Sequence, residues 1–157
     1  MPQTDMTKRF TITHYVPSTP RETWEAWTKP AAIAQWWHLP GTTTPAHELE
    51  YDVRVGGSYI YISLHEETGE RTVSGGVFQE VMPPHRLVFT WGAPNLNSTN
   101  LPVVSVEIDE TSDGSYVALT FAGYSGEPGD GAFYDTWNQA LIRLKEYVAA
   151  QNHEPQP

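Results

Sequence analysis

The sequence predicts an α+β domain in which a curved antiparallel sheet of about seven strands grips one long C-terminal helix. Three observations point there. Residues 132–150 place Phe133, Trp137, Ala140, Leu141, Leu144 and Val148 at three- and four-residue steps, which gather into one apolar stripe on a 3.6-residue period. From residue 48 onward the apolar period changes to two, interrupted by turn residues, as in hairpin-linked strands. One further strand pattern and two short helical patterns precede that run. A helix whose stripe carries tryptophan and phenylalanine needs a large apolar partner, and the strands supply it.

In chain order, residues 9–16 alternate Phe10, Ile12, His14 and Val16 with Arg9, Thr11, Thr13 and Tyr15, which predicts the first strand. Pro17 ends it. Thr19 as N-cap, Pro20 at the first helical position and Glu22 at the third form a capping box that opens a helix, with Trp24 and Trp27 on its buried side. Lys29-Pro30 breaks that helix, and a second runs over residues 30–37.

Gly56-Gly57 marks a tight turn or bulge before a strand at 59–64, where Tyr59, Tyr61 and Ser63 share one face and Ile60, Ile62 and Leu64 the other. Residues 67–71 read as a hairpin loop, 72–81 as a long strand and Pro83-Pro84 as a turn. Leu87, Phe89 and Trp91 then alternate with Val88 and Thr90. After a loop at 92–102, residues 103–109 and 116–121 form a hairpin around Ser112-Asp113-Gly114. Pairing of the first strand with the last would leave concave surface under the helix. The glycines at 123, 126, 129 and 131, with residues 95–102, predict a mobile mouth or lid. One domain is expected over 8–151, with 1–7 and 152–157 as flexible tails.

The net charge of −10, from 19 acidic and 9 basic residues, disfavours nucleic acid and anionic lipid as partners. No cysteine is present, which removes thiolate catalysis, disulfides and cysteine-based metal sites, and makes the cytoplasm the simplest compartment. No stretch has the length and apolarity of a signal peptide or a membrane span. The six histidines form no HxH, HxxxH or HExxH spacing, so neither a metal nor another cofactor is expected.

Several segments together resemble a known family. They are residues 20–27, the pair Trp36-Trp37, Asp52-Val53-Arg54-Val55-Gly56-Gly57, the run from Gly75 to Val81, Pro84-His85-Arg86-Leu87 with Trp91, and Trp137 with Leu141 and Leu144. Their order and spacing are similar to those of the homologues of the activator of heat-shock-protein-ninety ATPase, within the START-like or SRPBCC superfamily. The resemblance covers roughly residues 10–148. It implies a helix-grip fold and a bacterial-type single-domain member, and superfamily members often hold a hydrophobic small molecule between sheet and long helix. Polyketide cyclases are among those members. Thr136 stands where the family commonly carries Gly, which implies a wider helix-to-sheet spacing there.

The expected function is binding of a small hydrophobic or aromatic molecule under the C-terminal helix, by Trp37, Tyr59, Tyr61, Trp91, Phe133, Trp137 and Leu141. Tryptophan and tyrosine suit such a site because each joins an apolar body to a polar tip. Tyr59 and Tyr61 continue into Ser63 and His65, a mixed row that fits a cavity wall. One alternative is a cyclase, dehydratase or hydrolase in the same cavity, with His38, His65 or a tyrosine hydroxyl moving protons. Another is a protein-interaction module of co-chaperone type. The chain is expected to be a monomer or homodimer.

Overall fold

A computed structural model describes residues 8–37, 41–92, 102–123, 126–130 and 133–152. The tail expected at 1–7, the one expected at 152–157 apart from Asn152, which ends the last helix, the mouth expected at 95–102 apart from Pro102, and His38 lie outside the described residues. The elements are β1 (Arg9–Val16), α1 (Pro20–Thr28), α2 (Pro30–Trp36), β2 (Thr42–Thr43), β3 (Glu50–Tyr51), β4 (Ser58–His65), β5 (Arg71–Met82), β6 (Arg86–Thr90), β7 (Val103–Thr111), β8 (Gly114–Ala122) and α3 (Phe133–Asn152).

The strands form an open antiparallel sheet in the order β1-β8-β7-β6-β5-β4-β2, with β3 also paired to β4. The first strand does pair with the last, in register from Arg9 opposite Ala122 to Val16 opposite Ser115. This register aligns rows of apolar side chains across one face. Phe10, Phe121, Val104, Phe89 and Phe78 are successive cross-strand partners, and so are Ile12, Leu119, Val106 and Leu87. All nine are buried.

The helices cover that face. The α1 capping box closes as the sequence predicts: Glu22 N–H donates to Thr19 Oγ1 at 3.1 Å, and Thr19 N–H donates to Glu22 Oε1 at 2.9 Å. Trp36 Nε1–H donates to the Ala26 carbonyl at 2.8 Å, tying α2 to α1. α3 lies against β1, α1 and α2. Trp137, Ala140, Leu141, Leu144 and Val148 turn inward, and each large apolar side chain buried in this way contributes about 1.5–3 kcal/mol. His14 Nε2 and Asn138 Oδ1 are 2.8 Å apart, so the histidine of β1 links the sheet to the helix.

The sheet has eight strands where about seven are expected from the sequence. Two of them, β2 and β3, are only two residues long and flank a 3-10 turn at Ala46–Glu48. Two residues carry no readable period. Among the described residues no helix is long and apolar enough to cross a membrane.

Candidate ligand site

Three indoles meet where α2, β6 and α3 converge. The Trp37 ring stacks on Trp137 at a centroid distance of 4.1 Å, and Trp91 stands edge-on to both, at 5.7 Å from Trp37 and 5.6 Å from Trp137. This triangle divides the space beside α3 into two compartments, because all three rings line both.

The inner compartment is a chamber of about 30 Å³ between the sheet and the two short helices. Trp27, Ile33 and Trp36 form its helical side, and Tyr59, Phe78 and Phe89 are among its sheet residues. It has room for about one or two water molecules. The outer compartment is a cleft of about 190 Å³. Its floor is the indole triangle with Tyr61, and its rim carries Ser63, His65, Thr72, Ser74 and Thr136.

Register explains why hydroxyls collect on that rim. Ser63 pairs with Thr72 and Tyr61 with Ser74 across the β4–β5 hairpin, so alternate residues of both strands present their side chains to the same face. The hydroxyls of Ser63, Thr72, Ser74 and Thr136 have no hydrogen-bond partner among the described residues. They remain available to a ligand.

The tyrosine hydroxyls are not available. Tyr59 donates to the Thr90 carbonyl at 2.5 Å, and Tyr61 donates to the Trp37 carbonyl, with Thr44 Oγ1 2.8 Å from the Tyr61 hydroxyl. Gly76 makes the first contact possible: a Cβ there would lie 2.0 Å from the Thr90 carbonyl oxygen. Burial pushes the Tyr61 phenol up to about 12 and holds Tyr59 well above its ordinary value. Both rings are therefore neutral walls at neutral pH. Arg143 of α3 donates from Nε to the Trp36 carbonyl at 3.2 Å, so the end of α2 is held by both the sheet, through Tyr61, and the long helix.

One polar atom stands out. Trp27 Nε1 is buried and has no hydrogen-bond partner among the described residues, although Trp36 beside it is satisfied. Leaving such a donor unpaired costs about 1–3 kcal/mol.

Trp37, Tyr59, Tyr61, Trp91 and Trp137 are thus brought together at the two compartments. His65 sits on the outer rim. Leu141 lines neither compartment and is fully buried in the core, and among the described side chains α3 reaches the cleft through Thr136 and Trp137. The side chain of Phe133 lies outside the described set. Sequence reading missed Trp27, Thr72 and Ser74 as site residues. The hairpin register would have found the last two, but a loop expected at 67–71 sets the wrong partners for β4. Among the described residues no group of three or more His, Asp or Glu is placed to hold a metal ion.

A family model described as "Activator of Hsp90 ATPase homolog 1-like protein" matches residues 17–149. No curated protein matches the chain. Among solved structures, an AHSA1-like protein from Aeromonas hydrophila is 24% identical with a TM-score of 0.76, over 95% of this chain and 99% of that one. A protein from Nitrosomonas europaea aligns with a TM-score of 0.78 at 17% identity, over 96% and 99% of the two chains. One from Chromobacterium violaceum gives 0.74 at 22%, over 88% and 96%. At these identities the likeness concerns the fold.

Proposed function

Because the chain belongs to the Activator of Hsp90 ATPase homolog 1-like family, whose fold it shares, we propose that it binds a small aromatic or hydrophobic molecule in the outer cleft. The observation that carries this reading is the pairing of an indole floor with a rim of partner-free hydroxyls. A flat apolar ring is held on Trp37, Trp91 and Trp137, and a polar substituent bonds to Ser63, Ser74 or Thr136. At about 190 Å³ the cleft is smaller than the roughly 300 Å³ at which drug-sized pockets begin, so it fits a ligand of one or two rings.

Catalysis in the same cleft is less well supported. Both tyrosine hydroxyls are engaged with backbone carbonyls, which leaves His65 as the titratable group on the rim. A protein-docking role has weaker support as well, since the exposed large apolar residues are divided among β1 (Tyr15), the turn before β4 (Val55), β5 (Val73, Val77 and Met82) and α3 (Ile142). We place the binding activity in the cytoplasm, in keeping with a chain free of cysteine.

Titration with 2-naphthol, read by intrinsic tryptophan fluorescence, tests the proposal. Saturable quenching is expected, and Trp91→Leu should weaken it about tenfold because a half-exposed ring of the floor is lost. A response that never saturates, or one that Trp91→Leu leaves unchanged, would overturn the assignment.

A further inference from the structure

β1 is one edge of the sheet, paired on one side with β8. Register decides which groups it presents on the other side. Gly123 N–H donates to the Lys8 carbonyl at 2.8 Å, and in an antiparallel ladder hydrogen-bonded pairs alternate with non-bonded ones. Continuing from that pair, Phe10, Ile12, His14 and Val16 bond to β8, so Arg9, Thr11, Thr13 and Tyr15 turn their N–H and carbonyl groups away from it. The backbone groups of Thr11, Thr13 and Tyr15 meet no partner beyond β1 and β8 among the described residues. Their side chains are exposed on the outer face of the sheet.

Proteins ordinarily block such an edge with lysine, proline or a bulge. From Phe10 to Val16, β1 has none of these, and Tyr116, Ala118 and Thr120 beside it on β8 are uncharged. In a chain of net charge −10 this is a strip without an acidic residue. Charge sits at its two ends instead, with opposite signs. Lys8 and Arg9 stand at the start, while Glu22, Glu110 and Asp113 border one pocket with Pro17 at the finish.

We propose that β1 is a self-association edge, to which a second copy of this chain adds its own β1 antiparallel across a twofold axis. With Ile12 opposite the partner's Ile12, Thr11 faces the partner's Thr13, and both threonines exchange backbone hydrogen bonds with their copies. The basic start of each strand then lies towards the partner's acidic finish, which favours the antiparallel arrangement. A contact one strand long is small, so the association is weak and concentration-dependent. It lies at the end of the sheet away from β4 and β5, and does not depend on the ligand cleft.

Amide hydrogen exchange of the full chain, followed by NMR from micromolar to millimolar protein, tests this pairing. In the monomer Thr11, Thr13 and Tyr15 exchange fast, and Ile12 and His14 slowly. As concentration rises the first three should slow severalfold, so that the alternation along β1 fades, while sedimentation equilibrium shows the mass rising towards that of two copies. Thr13→Pro deletes an outward donor in each copy and should weaken the dimer at least about tenfold. Thr13→Lys keeps the donor, which guards against a proline that distorts the strand. It sets a cation diagonal to its own copy and to the partner's Arg9, and should weaken the dimer severalfold. A single monomeric mass at every concentration would overturn the proposal. So would a dimer in which Thr11, Thr13 and Tyr15 stay unprotected, or one that Thr13→Lys leaves intact, because its contact would lie elsewhere.

Discussion

The C-terminal part of α3 and its first two turns face different surroundings. Ala140, Leu141 and Leu144 are fully buried in a core shared with β1, α1 and α2, where every neighbour is protein. Thr136 and Trp137, one turn earlier, border the cleft, and Trp137 stacks on an indole that also faces the chamber. The same amphipathic stripe therefore seals a packed interior at one end and forms part of a site wall at the other. Periodicity alone does not separate these roles, because both demand a large apolar residue at the same spacing.

Substitutions at the two ends should separate stability from binding. The largest effect is expected from Leu144→Ala, which leaves a cavity in the sealed half and should cost about 2–5 kcal/mol in denaturant unfolding. Affinity for 2-naphthol should remain unchanged under conditions where the variant is folded. A large loss of affinity there would erase the distinction between the halves.

Alkaline pH acts on the site half instead. The Tyr61 phenol is raised from an ordinary 10.0 to about 12, chiefly by burial, so the folded state holds its proton more tightly than the unfolded chain. The corresponding stabilisation is fully present below pH 10 and is lost as pH rises through about 12, up to roughly 3 kcal/mol in all. Unfolding free energy measured from pH 9 to 12 should fall over that window, and Tyr61→Phe should make the decline shallower, the remainder coming from Tyr59 and Tyr51, whose phenols burial also raises. A flat profile in the wild type would mean that Tyr61 is not held neutral in the wall.

The smallest effect is the most local. Ser63→Ala removes a rim hydroxyl that bonds to nothing among the described residues, so stability should change by less than about 0.5 kcal/mol. Affinity for 2-naphthol should drop about threefold, the share of one solvent-accessible hydrogen bond.

Most of the architecture was legible because its elements are long enough to carry a period. The capping box at Thr19 and Glu22 set the start of α1, and alternation set β1 and β4 to within a residue or two. The two-residue strands β2 and β3 carried no such signal. The site was legible only in part. Tyr59, Tyr61 and Ser63 announced a mixed face, and the structure turns that face inward. Thr72 and Ser74 depend on a hairpin register that shifts with the position of the turn. Leu141 and Trp137 are indistinguishable in the stripe, and only the placement of α3 across β1 and α2 sends one to the core and the other to the cleft. Trp27 was readable as buried, but an unpaired indole nitrogen is a property of three-dimensional neighbours.

The most direct test of this division is backbone amide NMR of the labelled protein titrated with 2-naphthol. Shifts should concentrate at Tyr61, Ser63, Ser74, Trp91 and Thr136, and fade along α3 before Leu144. Shifts centred on Leu141 to Val148, or spread without focus over the outer face of the sheet, would contradict a ligand site at the first turns of the helix.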